Sequence, residues 1–251
     1  MNEAEGTLSE QATGFATDLT AMVFGVLGDV CAPFRATMLA GSGRTRFAVR
    51  QYPDTGIPLP LPDDEVVTLL VSYLCARDSA GVHMRVDKST FAVYFGPAAG
   101  IPLFRYDYDA TRGGHLPRAH LQVPHDRQDL AAVVSLAGDA TPLARKRSRD
   151  IALKGRLPRP DDLHFPVGGD RFRPALEDVL QILIDVLGVR ARDGWRNVII
   201  ENRREWRTKQ LKAAVRDHPG AAVTALEQLG YLIQCPEGGH PAPTDRSLND
   251  I

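Results

Sequence analysis

The chain has 251 residues, 43% apolar and 24% charged, with a formal net charge of −1. That is the composition of an ordinary soluble globular chain with ample core. The near-zero balance excludes polyanion binding by bulk electrostatics, so any nucleic-acid surface must be a local patch. Arginine outnumbers lysine by 25 to 5, and Ala, Gly and Pro are frequent, as in proteins of GC-rich genomes. Cys31, Cys75 and Cys235 are far apart and odd in number, and no C-x-x-C occurs. Neither a zinc ribbon nor a disulfide framework is supported. The acidic start, MNEAEGTLSEQ, lacks the basic region of a signal peptide, and Ala21 to Val30 is too short to span a bilayer. A reduced, cytoplasmic protein that does not enter the membrane is expected.

Leu8, Ala12, Phe15, Leu19, Met22, Val23 and Val26 recur near a 3.6-residue period, which predicts a helix over 7–31 ended by Pro33. A hairpin follows, with strands over 36–40 and 46–50 around the Gly41-Ser-Gly43 turn. The proline-rich stretch 53–62 reads as an extended loop. Residues 66–76, rich in β-branched side chains, favour a strand. Strands are expected over 82–86, 90–95, 103–108 and 119–123, forming an antiparallel meander of about five or six strands.

Residues 128–137 fit a short helix, and 138–162 is a basic connection, partly helical or mobile. Pro174 suits the first residue of a helix, with Glu177 and Asp178 in its first turn and Gly188 as its cap. A long helix over 194–217 and a shorter one over 221–229 follow, with Tyr231-Leu-Ile expected to pack back. The fold class is therefore α+β, an antiparallel sheet with an N-terminal helix and a C-terminal helical segment. Three regions are expected: an α+β domain over 1–190, a helical extension over 191–235 packed on it, and a disordered tail over 236–251.

Most candidate chemistry lies between residues 103 and 178, which hold His115, His120, His125 and His164. In a strand over 103–109, Arg105, Asp107 and Asp109 share one face. In the next strand, His120 and Gln122 share a face. If the two strands are neighbours, Asp107 and His120 meet across them at about 5 Å between Cβ atoms. A carboxylate beside an imidazole orients it for general acid or base work. The competing reading is a solvated polar face. The segment HFPVGGDRFRP brings Arg171 and Arg173 beside the Gly168-Gly169 turn, as a clamp for phosphate or carboxylate or as partners of nearby acids.

His115, His120 and His125 are spaced by five residues, which fits neither a helix face nor an alternating strand, so no metal is expected. No cofactor is expected either, since the glycines lack P-loop and Rossmann spacing. Arg145, Lys146, Arg147 and Arg149 form the least compensated basic run and are the candidate nucleic-acid contacts. The alternative is a solvated helix face.

Arg105-Tyr106-Asp107, His120 with Gln122, and Leu176-Glu-Asp-Val-Leu180 together resemble TumE-like bacterial toxin proteins and related uncharacterised families. The resemblance covers roughly residues 100–190. It implies a small α+β protein acting on RNA, with a cognate antitoxin or operon partner. The chain departs from that pattern in its length, in its extra helices at both ends, and in carrying Gln122 where a second histidine would sit. The function expected is a metal-independent ribonuclease of a toxin–antitoxin or defence system. His120 or His164 would be base or acid, Asp107 would orient a histidine, and Arg105, Gln122, Arg171 and Arg173 would bind substrate. The alternatives are a non-catalytic partner in such an operon and an anion- or nucleic-acid-binding domain without catalysis.

Overall fold

A computed structural model describes residues 7–39, 43–62, 65–78, 81–111, 118–123, 132–133, 136–138, 140–155 and 173–243. The chain divides into two compact units, Met1–Ile199 and Ile200–Ile251. The first is an α+β unit.

Helix α1 (Leu8–Leu27) opens with a reciprocal cap. The Thr7 hydroxyl accepts from the Glu10 N–H at 3.2 Å, and the Glu10 carboxylate accepts from the Thr7 N–H at 2.7 Å. It stops at Gly28, whose φ of 86° a residue with a side chain rarely adopts, four residues short of the expected end.

Seven antiparallel strands follow: β1 (Phe34–Leu39), β2 (Arg46–Gln51), β3 (Ile57–Pro60), β4 (Val66–Arg77), β5 (Met84–Phe95), β6 (Phe104–Asp109) and β7 (Ala119–Gln122). The order across the sheet is β1-β2-β4-β5-β6-β7, with β3 also on β4. Two expectations are corrected. The proline-rich loop contains β3, because Ile57 and Leu59 alternate inward and are fully buried. The two strands expected over 82–95 are one, β5, with a register shift opposite Leu74 and Cys75 that leaves Asp87 without a register partner.

Alternation gives the sheet two faces. Val67, Leu69 and Val71 of β4, Phe91 and Val93 of β5, and Phe104 and Tyr106 of β6 are buried on the inner face. They join one apolar cluster with α1 and with α3 (Leu176–Leu187), the helix that follows α2 (Pro142–Lys154). Helix α3 buries Leu176, Val179, Leu180, Leu183 and Leu187, and also Ile182, Ile184 and Val186. A helix that apolar belongs in a core. Asp178 accepts from the Ala175 N–H at 3.1 Å, and Gly188 closes the helix at φ 76°.

Helix α4 (Trp195–Asp217) crosses the division between units. Its first turns belong to the first unit, where Ile199 is buried and Trp195 and Val198 lie against the cluster. Helix α5 (Pro219–Gln228) lies in the second unit. There Tyr231 and Leu232 are exposed and Ile233 is half-buried. Residues 236–243 hold a turn in which the Gly239 N–H donates to the Pro236 carbonyl at 3.0 Å, and 244–251 lie outside the described residues.

Candidate active site on the outer face of the sheet

Strand β6 separates two kinds of side chain. Phe104 and Tyr106 point inward and meet edge to face at 6.3 Å between ring centres. Burial, followed by the nearby Asp178 charge, pushes the Tyr106 hydroxyl well above its ordinary pKa, so it stays neutral. Arg105, Asp107 and Asp109 take the outer face. Burial of the inner rings holds β6 in place and so fixes where the outer carboxylates stand.

The register brings the strands together as neighbours: Asp107 pairs with His120 on β7 and with Thr90 on β5, and Arg105 pairs with Gln122. The His120 Nε2 lies 3.8 Å from the Asp107 Oδ2. That exceeds hydrogen-bond length and is an ion-pair distance when the imidazole is protonated. The Gln122 Nε2 is 3.4 Å from the His120 Nε2, so the amide and the carboxylate face the same ring nitrogen. The Thr90 hydroxyl donates to the Asp107 Oδ1 at 2.9 Å. The Arg105 Nε lies 2.7 Å from the Asp107 Oδ2, yet this buried Nε has no hydrogen bond of acceptable angle. The contact is close but misaligned, so it is best read as charge attraction. The His120 side chain is 10% exposed and that of Asp107 18%, which shields the pair from bulk water while leaving it within reach of a ligand.

Asp109 completes this edge. Partial burial acts to raise its pKa, but Lys88 at 2.8 Å and the Thr111 hydroxyl and N–H at 2.6 and 2.9 Å hold it down to about 2. Its place is fixed by these contacts, and its charge is spoken for.

The other residues expected at the site fall elsewhere. Arg173 is on the inner face, its guanidinium 4.5 Å from the centre of the Tyr108 ring, and burial lowers its pKa. Tyr108 and Asp107 point to opposite faces, so Arg173 does not join His120. His164 and Arg171 lie outside the described residues, as do His115 and His125. Arg145, Lys146 and Arg149 are exposed on α2, capped by the Thr141 hydroxyl, which accepts from the Ala144 N–H at 3.0 Å. Arg147 corrects the expectation of a four-residue nucleic-acid contact. It is buried and donates to the Val186 carbonyl at 3.4 Å, tying α2 to α3. Among the described residues, no three His, Cys, Asp or Glu side chains are grouped to hold a metal, and no helix is long and apolar enough to cross a membrane.

Thr90 and Lys88 were missed by sequence reasoning. Read as two strands, 82–95 gives no reason to carry one alternation through Asp87. Only the bulge puts Lys88, Thr90 and Ala92 on the outer face. Comparison with protein-family models, with curated proteins and with solved structures finds no match to the chain.

Proposed function

We propose that the chain is a metal-independent ribonuclease of a toxin–antitoxin or defence system. The observation that carries this reading is the cross-strand pairing of Asp107 with His120, flanked by Arg105 and Gln122 on the outer face. The resemblance of residues 100–190 to TumE-like toxins supports the same class of substrate.

In this reading His120 takes the proton of a ribose 2′-hydroxyl as that oxygen attacks the adjoining phosphorus. Asp107, 3.8 Å away, stabilises the imidazole once it is charged. Arg105, already beside the Asp107 carboxylate, faces the charge that builds on the phosphate oxygens. The bond to the 5′ oxygen breaks, and that oxygen takes up a proton, with His164 as its donor. The products are a 2′,3′-cyclic phosphate and a 5′-hydroxyl end. Arg173, on the inner face, has no part in the step.

The test is cleavage of a labelled single-stranded RNA by purified protein in excess EDTA. Wild type is expected to cleave and His120→Ala to lose roughly 10²–10⁴-fold in rate, the usual worth of a general acid or base. A 2′-deoxy nucleotide at the cleaved position should block the reaction. Cleavage that needs added metal, or that survives His120→Ala, would overturn the reading.

A second reading rests on a separate observation. None of the described residues of the second unit is buried, and Leu211, Val215, Leu229, Tyr231 and Leu232 are exposed there. Such a surface suits a partner protein. A folded but inactive wild type that co-elutes with the product of a neighbouring gene would favour a non-catalytic role.

A further inference from the structure

The register of the sheet lines up six polar side chains on six hydrogen-bonded neighbours. Arg35 on β1 is opposite Arg50 on β2, Arg50 opposite Ser72 on β4, Ser72 opposite Thr90 on β5, Thr90 opposite Asp107, and Asp107 opposite His120. The row runs straight across the outer face. At about 4.8 Å per strand, its five steps span about 24 Å. The rows on either side are not polar throughout, since one carries Ala48 and Leu74 and the other Leu70 and Ala92.

The far end of the row is built at a cost. Like charges directly opposite each other on neighbouring strands destabilise a sheet, and Arg35 and Arg50 are so placed. Asp54 lies 2.8 Å from Arg50, but both are about half exposed, and such a pair contributes little. Among the described residues no carboxylate pairs with Arg35, which instead sits 5.4 Å from the centre of the Tyr52 ring, itself 67% exposed. Two arginines held together beside an exposed aromatic ring match a chain of phosphates with an unstacked base. They stand about 19–24 Å from His120, beyond the reach of the nucleotide being cut.

We infer that this row is the track for single-stranded RNA. Arg35 and Arg50 hold phosphates remote from the cut, Tyr52 stacks a base, and the strand runs over Ser72 and Thr90 to His120. This deepens the ribonuclease reading and rests on it for the identity of the ligand. It also replaces α2 as the principal basic contact.

The experiment measures binding separately from cleavage. Full-length chain carrying His120→Ala is titrated into a fluorescein-labelled 12-nucleotide RNA, and anisotropy is followed from 50 to 200 mM salt. Arg35→Ala, Arg50→Ala and Tyr52→Ala are each added to that background, with Lys209→Ala as a control outside the row. Each arginine variant is expected to weaken binding and to reduce the salt slope by about 0.7. Tyr52→Ala should weaken binding roughly 5-fold or more. Arg35→Ala should keep or raise the melting temperature, because it removes the like-charge pair, and this separates loss of contact from loss of fold. Unchanged affinity and slope in Arg35→Ala, Arg50→Ala and Tyr52→Ala would overturn the track. Equal binding of DNA of the same sequence through the same residues would overturn RNA as its ligand. If RNA binds through the row but protein with His120 intact never cleaves it, the track stands and the ribonuclease falls. If that protein cleaves and the arginine variants bind at full affinity, the reverse holds.

Discussion

The two faces of the sheet are made by the same strands under opposite rules. On the inner face Tyr73, Phe91 and Tyr106 are packed against α1 and α3, with Phe91 meeting Tyr73 edge to face at 5.5 Å. On the outer face Thr90, Asp107 and His120 are partly exposed and held by ion pairs and hydrogen bonds. The inner face carries the stability. The outer face can carry charge and function because little of the fold depends on it.

The largest effect that would break this contrast is expected from Phe91→Ala. Phe91 is 2% exposed, and its loss should cost about 3–5 kcal/mol in urea unfolding. His120→Ala, on the outer face, should cost less than about 1 kcal/mol by the same measurement. Comparable losses would mean that the outer face is part of the core.

Gly56→Ala comes next. Its φ is 79°, and an added Cβ would stand 2.6 Å from the Thr68 Cγ2 and 3.2 Å from the Leu69 carbonyl oxygen. A loss of about 2 kcal/mol is expected from the backbone conformation and the contact together. It should appear in thermal melts while any RNA cleavage is retained at low temperature.

A smaller effect sharpens the outer face. The Asp109 carboxyl titrates at about 2 in the fold, below its ordinary 3.8. A depressed carboxylate contributes stability that is complete above the unfolded value and is lost as pH falls through the folded one. Lys88→Ala should therefore cost no more than about 1 kcal/mol at pH 7, after solvent screening of this half-exposed lysine. The difference between wild type and variant should shrink between pH 4 and pH 2. A difference that persists unchanged below pH 2 would assign Lys88 some other role.

The smallest is a labelling experiment. Burial pushes the Cys75 thiol up to about 12 and the Cys31 thiol up to about 11, while Cys235 is exposed. One thiol should react promptly with a disulfide reagent at pH 8 in the native protein, and the other two only in urea. Prompt reaction of Cys75 would show the inner face to be open.

Local pattern made much of this legible. Helical periodicity placed α1, since an apolar stripe is written in adjacent turns. Alternation alone assigned Asp107 to one face with Arg105, and His120 to one face with Gln122. The β5 bulge was not legible, because Asp87, which has no register partner on β4, looks like a turn until that strand is set beside it. Nor was β3, whose prolines hide an inward alternation satisfied only by β4.

Short-range pattern sets the α+β class, the helices, and which side chains share a face within a strand. Each follows from interactions between residues a few positions apart. Long-range contacts set Asp107 opposite His120, extend that line to Arg35 and Arg50, bury Arg147 against α3 and place Arg173 on the inner face. Strand register and burial depend on contacts between residues far apart in the chain, and these arise only when the inner face closes on its helices.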